Sequence, residues 1–272
     1  MAITTAIIGL GIMGRRMLEH MQLHDGFAPA YLWDPDDGSC RLAAEVAPDS
    51  EIMASADVAI EAADLVYLAC PPMPRKAFAL AAAHAGKAVF LEKPLGVDVD
   101  ESEDLVRRLA GAGVPVAVNF TQAAGAALTG ISAAAQSGEM GDIVGADIVV
   151  TYANWPREWQ KAADWLRFRA EGGMTREVIS HFLFFSERIL GPLALVRAQP
   201  SYPDDSTLCE THMLARLETA DGRPVTVMAS VGGAQPDRQE LTIKGTKTSR
   251  RVSDFSRDAV SDGGAFSAVA AE

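Results

Sequence analysis

The stretch Ala6-Ile7-Ile8-Gly9-Leu10-Gly11-Ile12-Met13-Gly14 decides how the rest of the chain is read. An apolar run ends among glycines, and Ile12 to Met21 then carries apolar residues at helical spacing, so the segment reads as strand, tight turn, helix. Gly9, Gly11 and Gly14 form a G-x-G-x-x-G between those elements. The first glycine permits the turn, the second lets a pyrophosphate approach the backbone, and the third lets helix and strand pack closely. With Ile12 and Met13, whose amides open the helix, they are the first candidate cofactor-binding residues.

Working outward, Ala30 to Trp33 reads as a second strand that stops at Asp34-Pro35 and leaves a carboxylate at its tip. Asp34 stands where an acidic group accepts from both ribose hydroxyls of the adenosine half, which favours NAD. A 2′-phosphate would meet Asp34, Asp36 and Asp37 with no basic residue before Arg41, so NADP is the less favoured cofactor. Cys40 to Val46 suits a helix, Asp64 to Cys70 a strand halted by Pro71-Pro72, and Arg75 to Ala85 an Ala-rich helix. Lys87 to Leu91, the amphipathic Asp98 to Ala110 and Pro115 to Asn119 continue the alternation. The expected fold is α/β: a doubly wound parallel Rossmann sheet over residues 1–120.

Beyond Phe120 the rhythm changes. Gly130 to Gln136 and Thr175 to Leu190 read as helices, while Ile143 to Tyr152, Leu193 to Gln199, His212 to Leu217, Pro224 to Val231 and Gln239 to Lys244 read as strands of antiparallel type. Residues 121–272 are therefore expected to form an α+β domain for substrate binding and oligomerisation. The Ser, Gly, Ala and Asp-rich tail from about Asp258 is expected to fray or follow the surface.

Composition narrows the function classes. A formal charge of −12 and a pI near 4.9 oppose a nucleic-acid partner, which needs clustered cations. Three widely spaced cysteines, Cys40, Cys70 and Cys209, suggest neither disulfides nor a zinc site, and the histidines lack ligand spacing, so no metal is expected. With no basic leader and no long apolar run, a cytoplasmic location without membrane contact is the expectation.

Three residues carry candidate chemistry. Lys93, in Glu92-Lys93-Pro94, follows an apolar strand and so stands at the carboxyl edge of the sheet, where ligands bind. Partly desolvated there, a lysine can exchange a proton with a substrate oxygen. Glu177 and His181 are four apart on the expected helix and share a face, as a carboxylate-oriented proton relay requires. A surface ion pair, or a core histidine among Phe182, Phe184 and Phe185, is the plainer alternative. Trp155, Trp159 and Trp165 with Arg157, Arg167 and Arg169 form an aromatic and basic stretch, a composition suited to a polar or anionic substrate. Trp165 and Arg169 are the candidate substrate contacts from this stretch.

These pieces together resemble the glucose-fructose oxidoreductase, inositol dehydrogenase and rhizopine-catabolism (Gfo/Idh/MocA) family. The resemblance runs through GLGIMG at Gly9 to Gly14, LVYLACPP at Leu65 to Pro72 and AGKAVFLEKPLG at Ala85 to Gly96. It continues through VNF at Val118 to Phe120, SGEMGDIVGADI at Ser137 to Ile148, GGMTREVISH at Gly172 to His181 and IKGTKTS at Ile243 to Ser249. It implies a Rossmann domain followed by an open, mostly antiparallel sheet domain that often forms the subunit interface. It also implies that Pro71, Glu92, Lys93 and Asn119 lie against the cofactor, and that Lys93 and His181 contact substrate, with Glu177 in the place of a usual aspartate. Ile179 replaces a small residue, and the usual asparagine after Pro71 is absent.

The function so implied is NAD(P)-dependent hydride transfer to or from a small hydroxyl- or carbonyl-bearing sugar, polyol or sugar acid, by a homodimer or homotetramer. Lys93, Glu177 and His181 are its catalytic candidates. A β-hydroxyacid or amino-acid/imine dehydrogenase and a non-catalytic NAD(H)-binding sensor are the alternatives. The first of these usually has a largely helical second domain.

Overall fold

Alternate residues of the first strand enter two different cores, and this organises the N-terminal half. In the computed structural model, which describes residues 2–270, β1 (Ile3–Ile8) sends Ala6 and Ile8 to one side and Ile7 to the other, all fully buried. Ala6 and Ile8 pack with Ala59, Ile60, Ala79 and Ala82, whereas Ile7 packs with Leu18, Met21 and Ala43. A strand buried on both faces reads as a continuous apolar run, as this one does.

The sheet has six parallel strands in the order β3-β2-β1-β4-β5-β6. The others are β2 (Phe27–Trp33), β3 (Glu51–Ile52), β4 (Leu65–Leu68), β5 (Ala88–Glu92) and β6 (Val116–Asn119). The crossovers are α1 (Ile12–Gln22), α2 (Asp37–Val46), α3 (Ala56–Ala62), α4 (Pro72–His84) and α5 (Val99–Gly111). The strand order reverses between β1 and β4, which is where a doubly wound sheet opens a ligand crevice. Side-chain caps set several helix starts: Asp36 accepts from Ser39 N at 2.7 Å, Ser55 from Val58 N at 3.3 Å and Asp98 from Glu101 N at 2.9 Å. The sequence reading missed β3 and α3, a two-residue exposed strand and a seven-residue Ala-rich helix. Neither is long enough to display a period.

The chain divides after Asn119, and the second unit begins at Phe120. Its sheet has the order β14-β13-β12-β11-β7-β10-β9-β8. The strands are β7 (Ile143–Tyr152), β8 (Leu193–Ser201), β9 (His212–Thr219), β10 (Pro224–Val231), β11 (Arg238–Gly245), β12 (Ser249–Ser253), β13 (Arg257–Ser261) and β14 (Ser267–Ala268). The pairing is antiparallel except for β10 with β7, which is parallel. Two helices, α6 (Ala126–Gln136) and α7 (Ser180–Leu190), share a core with Ile148, Val150 and Tyr152 through Ile131, Phe182 and Phe185.

The tail from Asp258 follows the surface, one of the two courses expected, rather than fraying: β13 and β14 pair with the sheet, β14 is exposed, and Arg250, only 5% exposed, makes an ion pair with Asp258 across the β12–β13 hairpin. The helix expected over Thr175 to Leu190 begins as a π-helical turn, Thr175–Ile179, and becomes α-helical only at Ser180.

Candidate active site

Each glycine of the first turn has its own geometric reason. Gly9 has φ of +95°, and a Cβ there would lie 2.4 Å from Cys70 N, so the turn packs directly on the end of β4. A Cβ on Gly14 would come within 1.9 Å of Gly9 O, so the absence of a side chain there lets α1 approach the turn this closely. Gly11 is different: nothing lies within 4 Å of its would-be Cβ, and it is exposed. It is the N-cap of α1, which has neither a side-chain cap nor an acidic residue in its first turn. The amides of Ile12, Met13 and Gly14 thus open onto space that a Cβ at Gly11 would partly fill, a cradle that fits a pyrophosphate.

Asp34 is tied to this loop. Its Oδ2 accepts from Leu10 N at 2.6 Å and its Oδ1 from Asp36 N at 2.9 Å, while Gly9 N donates to Trp33 O at 2.9 Å. Each carboxylate oxygen keeps a further lone pair, as two ribose hydroxyls would need. Arg15 Nη1 donates to Leu10 O at 2.5 Å and ties α1 back to the loop.

The floor of the crevice is built from buried polar side chains. Glu92, 3% exposed, accepts from Tyr67 Oη and, at 2.5 Å, from Asn119 Nδ2 through Oε1; its Oε2 accepts from Lys93 N at 3.2 Å. Arg75, 2% exposed, donates to the carbonyls of Cys70, Glu92 and Pro94, the Glu92 bond being 2.6 Å. These bonds join the ends of β4 and β5 and hold the backbone on both sides of Lys93. Burial, then the charge and hydrogen bond of Glu92, push the Tyr67 hydroxyl well above its usual range, so it stays a donor. Glu92 and Asn119, both expected against the cofactor, spend these side-chain atoms on each other. Pro71 is exposed before α4, and Lys93 is half-buried just beyond β5.

In the second unit, Gly172 and Gly173 aim the segment carrying Glu177 and His181. A Cβ on Gly172 would meet Leu166 O at 2.2 Å, and Gly173, with φ of +106°, donates its N–H to that carbonyl at 2.9 Å. The same oxygen accepts from Trp155 Nε1 at 3.0 Å. Buried Glu210 caps the start of the π-turn by accepting from Thr175 N at 2.6 Å. Burial, reinforced by the Glu210 charge, pushes the neighbouring Cys209 thiol up to about 11.

Glu177 and His181 are each 7% exposed, which excludes a solvated ion pair on a helix surface. The His181 imidazole lies edge-on between Phe120, at 5.5 Å, and Phe255, at 5.7 Å. Phe255 and Asp254 both have positive φ, 64° and 48°, in the turn joining β12 to β13. Phe255 stacks on Phe182 at 5.4 Å, and Phe120 on Phe184 at 4.7 Å. The rings that meet the imidazole are thus Phe120 and Phe255, which the sequence did not suggest; Phe182 and Phe184, which it did, stack on those rings.

Trp165 is half-buried in a short 3-10 turn, Asp164–Arg167. Arg169 is exposed and stacks over Tyr202 at 4.2 Å. Among the described residues there is no cluster of three or more metal-ligating side chains, and no helix is long and apolar enough to cross a membrane. The three cysteines are free and buried.

A parallel six-stranded sheet, a glycine turn at its switch point and an acidic tip on β2 define the dinucleotide-binding class. Residues 3–120 match the model described as oxidoreductase family, NAD-binding Rossmann fold, and residues 130–251 match the GFO/IDH/MocA C-terminal domain. The chain belongs to the GFO/IDH/MocA family of oxidoreductases. It is similar to 2,7-anhydro-N-acetylneuraminate hydratase of Escherichia coli K12, 29% identical over 112 residues, which is 41% of this chain and only 30% of that one. Among solved structures it resembles an Agrobacterium radiobacter oxidoreductase in complex with NAD+, L-tartaric acid and magnesium, with a TM-score of 0.85 at 17% identity, covering 99% of this chain and 79% of that one. It also resembles the WlbA dehydrogenase of Bordetella pertussis in complex with NADH and UDP-GlcNAcA, with a TM-score of 0.84 at 21% identity, covering 94% and 79%.

Proposed function

We propose that the chain is an NAD-dependent oxidoreductase acting on the hydroxyl or carbonyl carbon of a small polar substrate, a sugar, polyol or sugar acid. The observation that carries this reading is the pairing of an open, uncapped helix start at Gly11 with a lysine held at the tip of the adjoining sheet by Glu92 and Arg75. Gly9, Gly11, Ile12, Met13 and Gly14 would hold the pyrophosphate, and Asp34 the adenosine ribose. Bound there, a nicotinamide dinucleotide supplies or accepts the hydride.

The protein groups handle position and protons. The roles assigned in the oxidation direction are proton acceptor for His181 and electrostatic support of developing negative charge for the Lys93 ammonium. Glu177 orients the imidazole, and the phenyl rings of Phe120 and Phe255 keep water from it. In reduction the same groups return the proton. Glu92 and Asn119 act on Lys93 through the backbone rather than by touching substrate.

An eight-stranded sheet in the second unit argues against the β-hydroxyacid dehydrogenase alternative, which calls for helices. Sugar-acid chemistry is supported by relatives solved with L-tartaric acid and with UDP-GlcNAcA. A cytoplasmic homodimer or homotetramer is part of the proposal, since the exposed sides of β8 and β9 call for a cover; a monomer by light scattering at micromolar concentration would remove the oligomer.

The test is Lys93→Ala. Turnover of NADH with an active substrate should fall about 1,000-fold or more while NADH binding changes by less than about threefold. Near-normal rates in that variant would take Lys93 out of the mechanism. Asp34→Ala should weaken NAD relative to NADP in a fluorescence titration; an unchanged ratio would remove the ribose assignment.

A further inference from the structure

Three arginines occupy the loop between β7 and the π-turn, and the structure treats them differently. Arg167 is spent on Asp164 at 3.0 Å and stacks over Phe168 at 4.6 Å. Arg169 is exposed and rests on a single ring, that of Tyr202. Arg157 is half-buried, with its guanidinium carbon 4.7 Å from the Trp159 ring, 5.2 Å from Tyr152 and 5.9 Å from Trp155.

One edge of the Arg157 guanidinium is tied down. Nε donates to Gln160 Oε1 at 2.8 Å, Gln160 is 5% exposed, and its own N–H donates to Arg157 O at 2.8 Å. The residue is thus held from backbone to Nε by a buried amide. Among the described residues, no carboxylate or carbonyl meets its two terminal nitrogens. Aromatic rings occupy the faces of a guanidinium but leave its in-plane donors free, and the remaining donors form the fork that matches a carboxylate. The low-dielectric rings strengthen any bond made there, and a side chain already immobilised loses little entropy on binding.

The location links this fork to the candidate chemistry of the same unit. Tyr152 ends β7, Trp155 bonds Leu166 O, and that carbonyl also holds Gly173 at the head of the segment bearing Glu177 and His181. In a chain of charge −12, an acidic ligand needs a local cation, and this one is neither neutralised nor free to swing away.

We propose that Arg157 is a specificity residue that recognises the carboxylate of a small acid, so that the substrate taken by the second unit is a sugar acid or hydroxy acid rather than a neutral sugar. This rests on the oxidoreductase reading and narrows its substrate class. Trp159, 53% exposed, is the outer wall of the site.

The test uses the full chain and two matched pairs, D-glucuronate with D-glucose and D-gluconate with D-glucitol, titrated calorimetrically with and without NADH. The expected result is tighter binding of an acid than of its neutral partner by about tenfold or more, a preference that Arg157→Gln abolishes and Arg157→Lys retains in part. Should Arg157→Gln unfold, Arg157→Lys and Trp159→Leu carry the test, each lowering acid affinity while the neutral partner is unchanged. No acid binding by the unaltered chain, equal affinity within both pairs, or a preference that survives Arg157→Gln overturns the proposal. A flat NADH titration overturns the oxidoreductase reading instead, while the acid preference measured without NADH still decides the role of Arg157.

Discussion

Glu92 and Glu210 are both buried carboxylates that fix the backbone beside the candidate chemistry of their own unit, but they do it by different means. Glu92 gathers Tyr67, Asn119 and the Lys93 amide, with Arg75 bonded to the carbonyls on either side. Glu210 takes the Thr175 amide and relies on the bareness of Gly173, where a Cβ would lie 2.7 Å from its Oε2. One frame is made of side chains and fails when a partner is deleted. The other is made of backbone and empty space, and fails when an atom is added.

The largest effect expected from that contrast is at Arg75. Arg75→Met leaves the carbonyls of Cys70, Glu92 and Pro94 without their donor, so stability should fall by about 3 kcal/mol or more, read from the denaturant midpoint at constant slope. A loss under about 1 kcal/mol would show that the clamp is redundant. Gly173→Ala comes next, at about 2 kcal/mol, from a left-handed φ and the clash with Glu210. Combining it with Glu210→Ala should cost less than the sum, because the second change removes the clash; strict additivity would mean that strain at φ alone is responsible.

Tyr67→Phe is milder. It leaves Glu92 with Asn119 and the Lys93 amide, so a loss of about 1 kcal/mol is expected, with NADH affinity unchanged. The smallest effect concerns Cys209. Its folded-state value, near 11, lies above that of an unfolded thiol, near 9, so the folded chain keeps a proton that the unfolded chain releases between those values. Stability contributed by this thiol is full below about pH 9 and declines toward pH 11. Alkylation of Cys209 should accordingly stay slow at pH 8 and speed up in Glu210→Gln; an unchanged rate in that variant would separate the thiol from the carboxylate.

The first unit was legible because its signals are local. Glycine spacing, the Asp34-Pro35 stop and apolar runs buried on both faces depend on neighbours in sequence. Arg75 escaped notice although a clue existed: it lies on the inward stripe of α4 with Ala79, Ala82 and Ala83, an odd place for a charge. The aromatic surround of His181 left no such trace, since Phe120 and Phe255 are brought to it by tertiary packing and a left-handed turn between non-glycine residues. The π-turn was hidden too, because hydrophobic spacing does not distinguish its first turn from an α-helix. Arg157 was visible as one of three similar arginines, and only the placement of rings and carboxylates separated them.

The Arg75 clamp has a practical corollary for anyone reshaping this crevice. Because one guanidinium staples three carbonyls from the ends of two strands, the loop beyond Pro94 should keep its main-chain path when its side chains are randomised. Libraries that spare Arg75 should therefore yield soluble variants far more often than those that include it, whatever new specificity is sought.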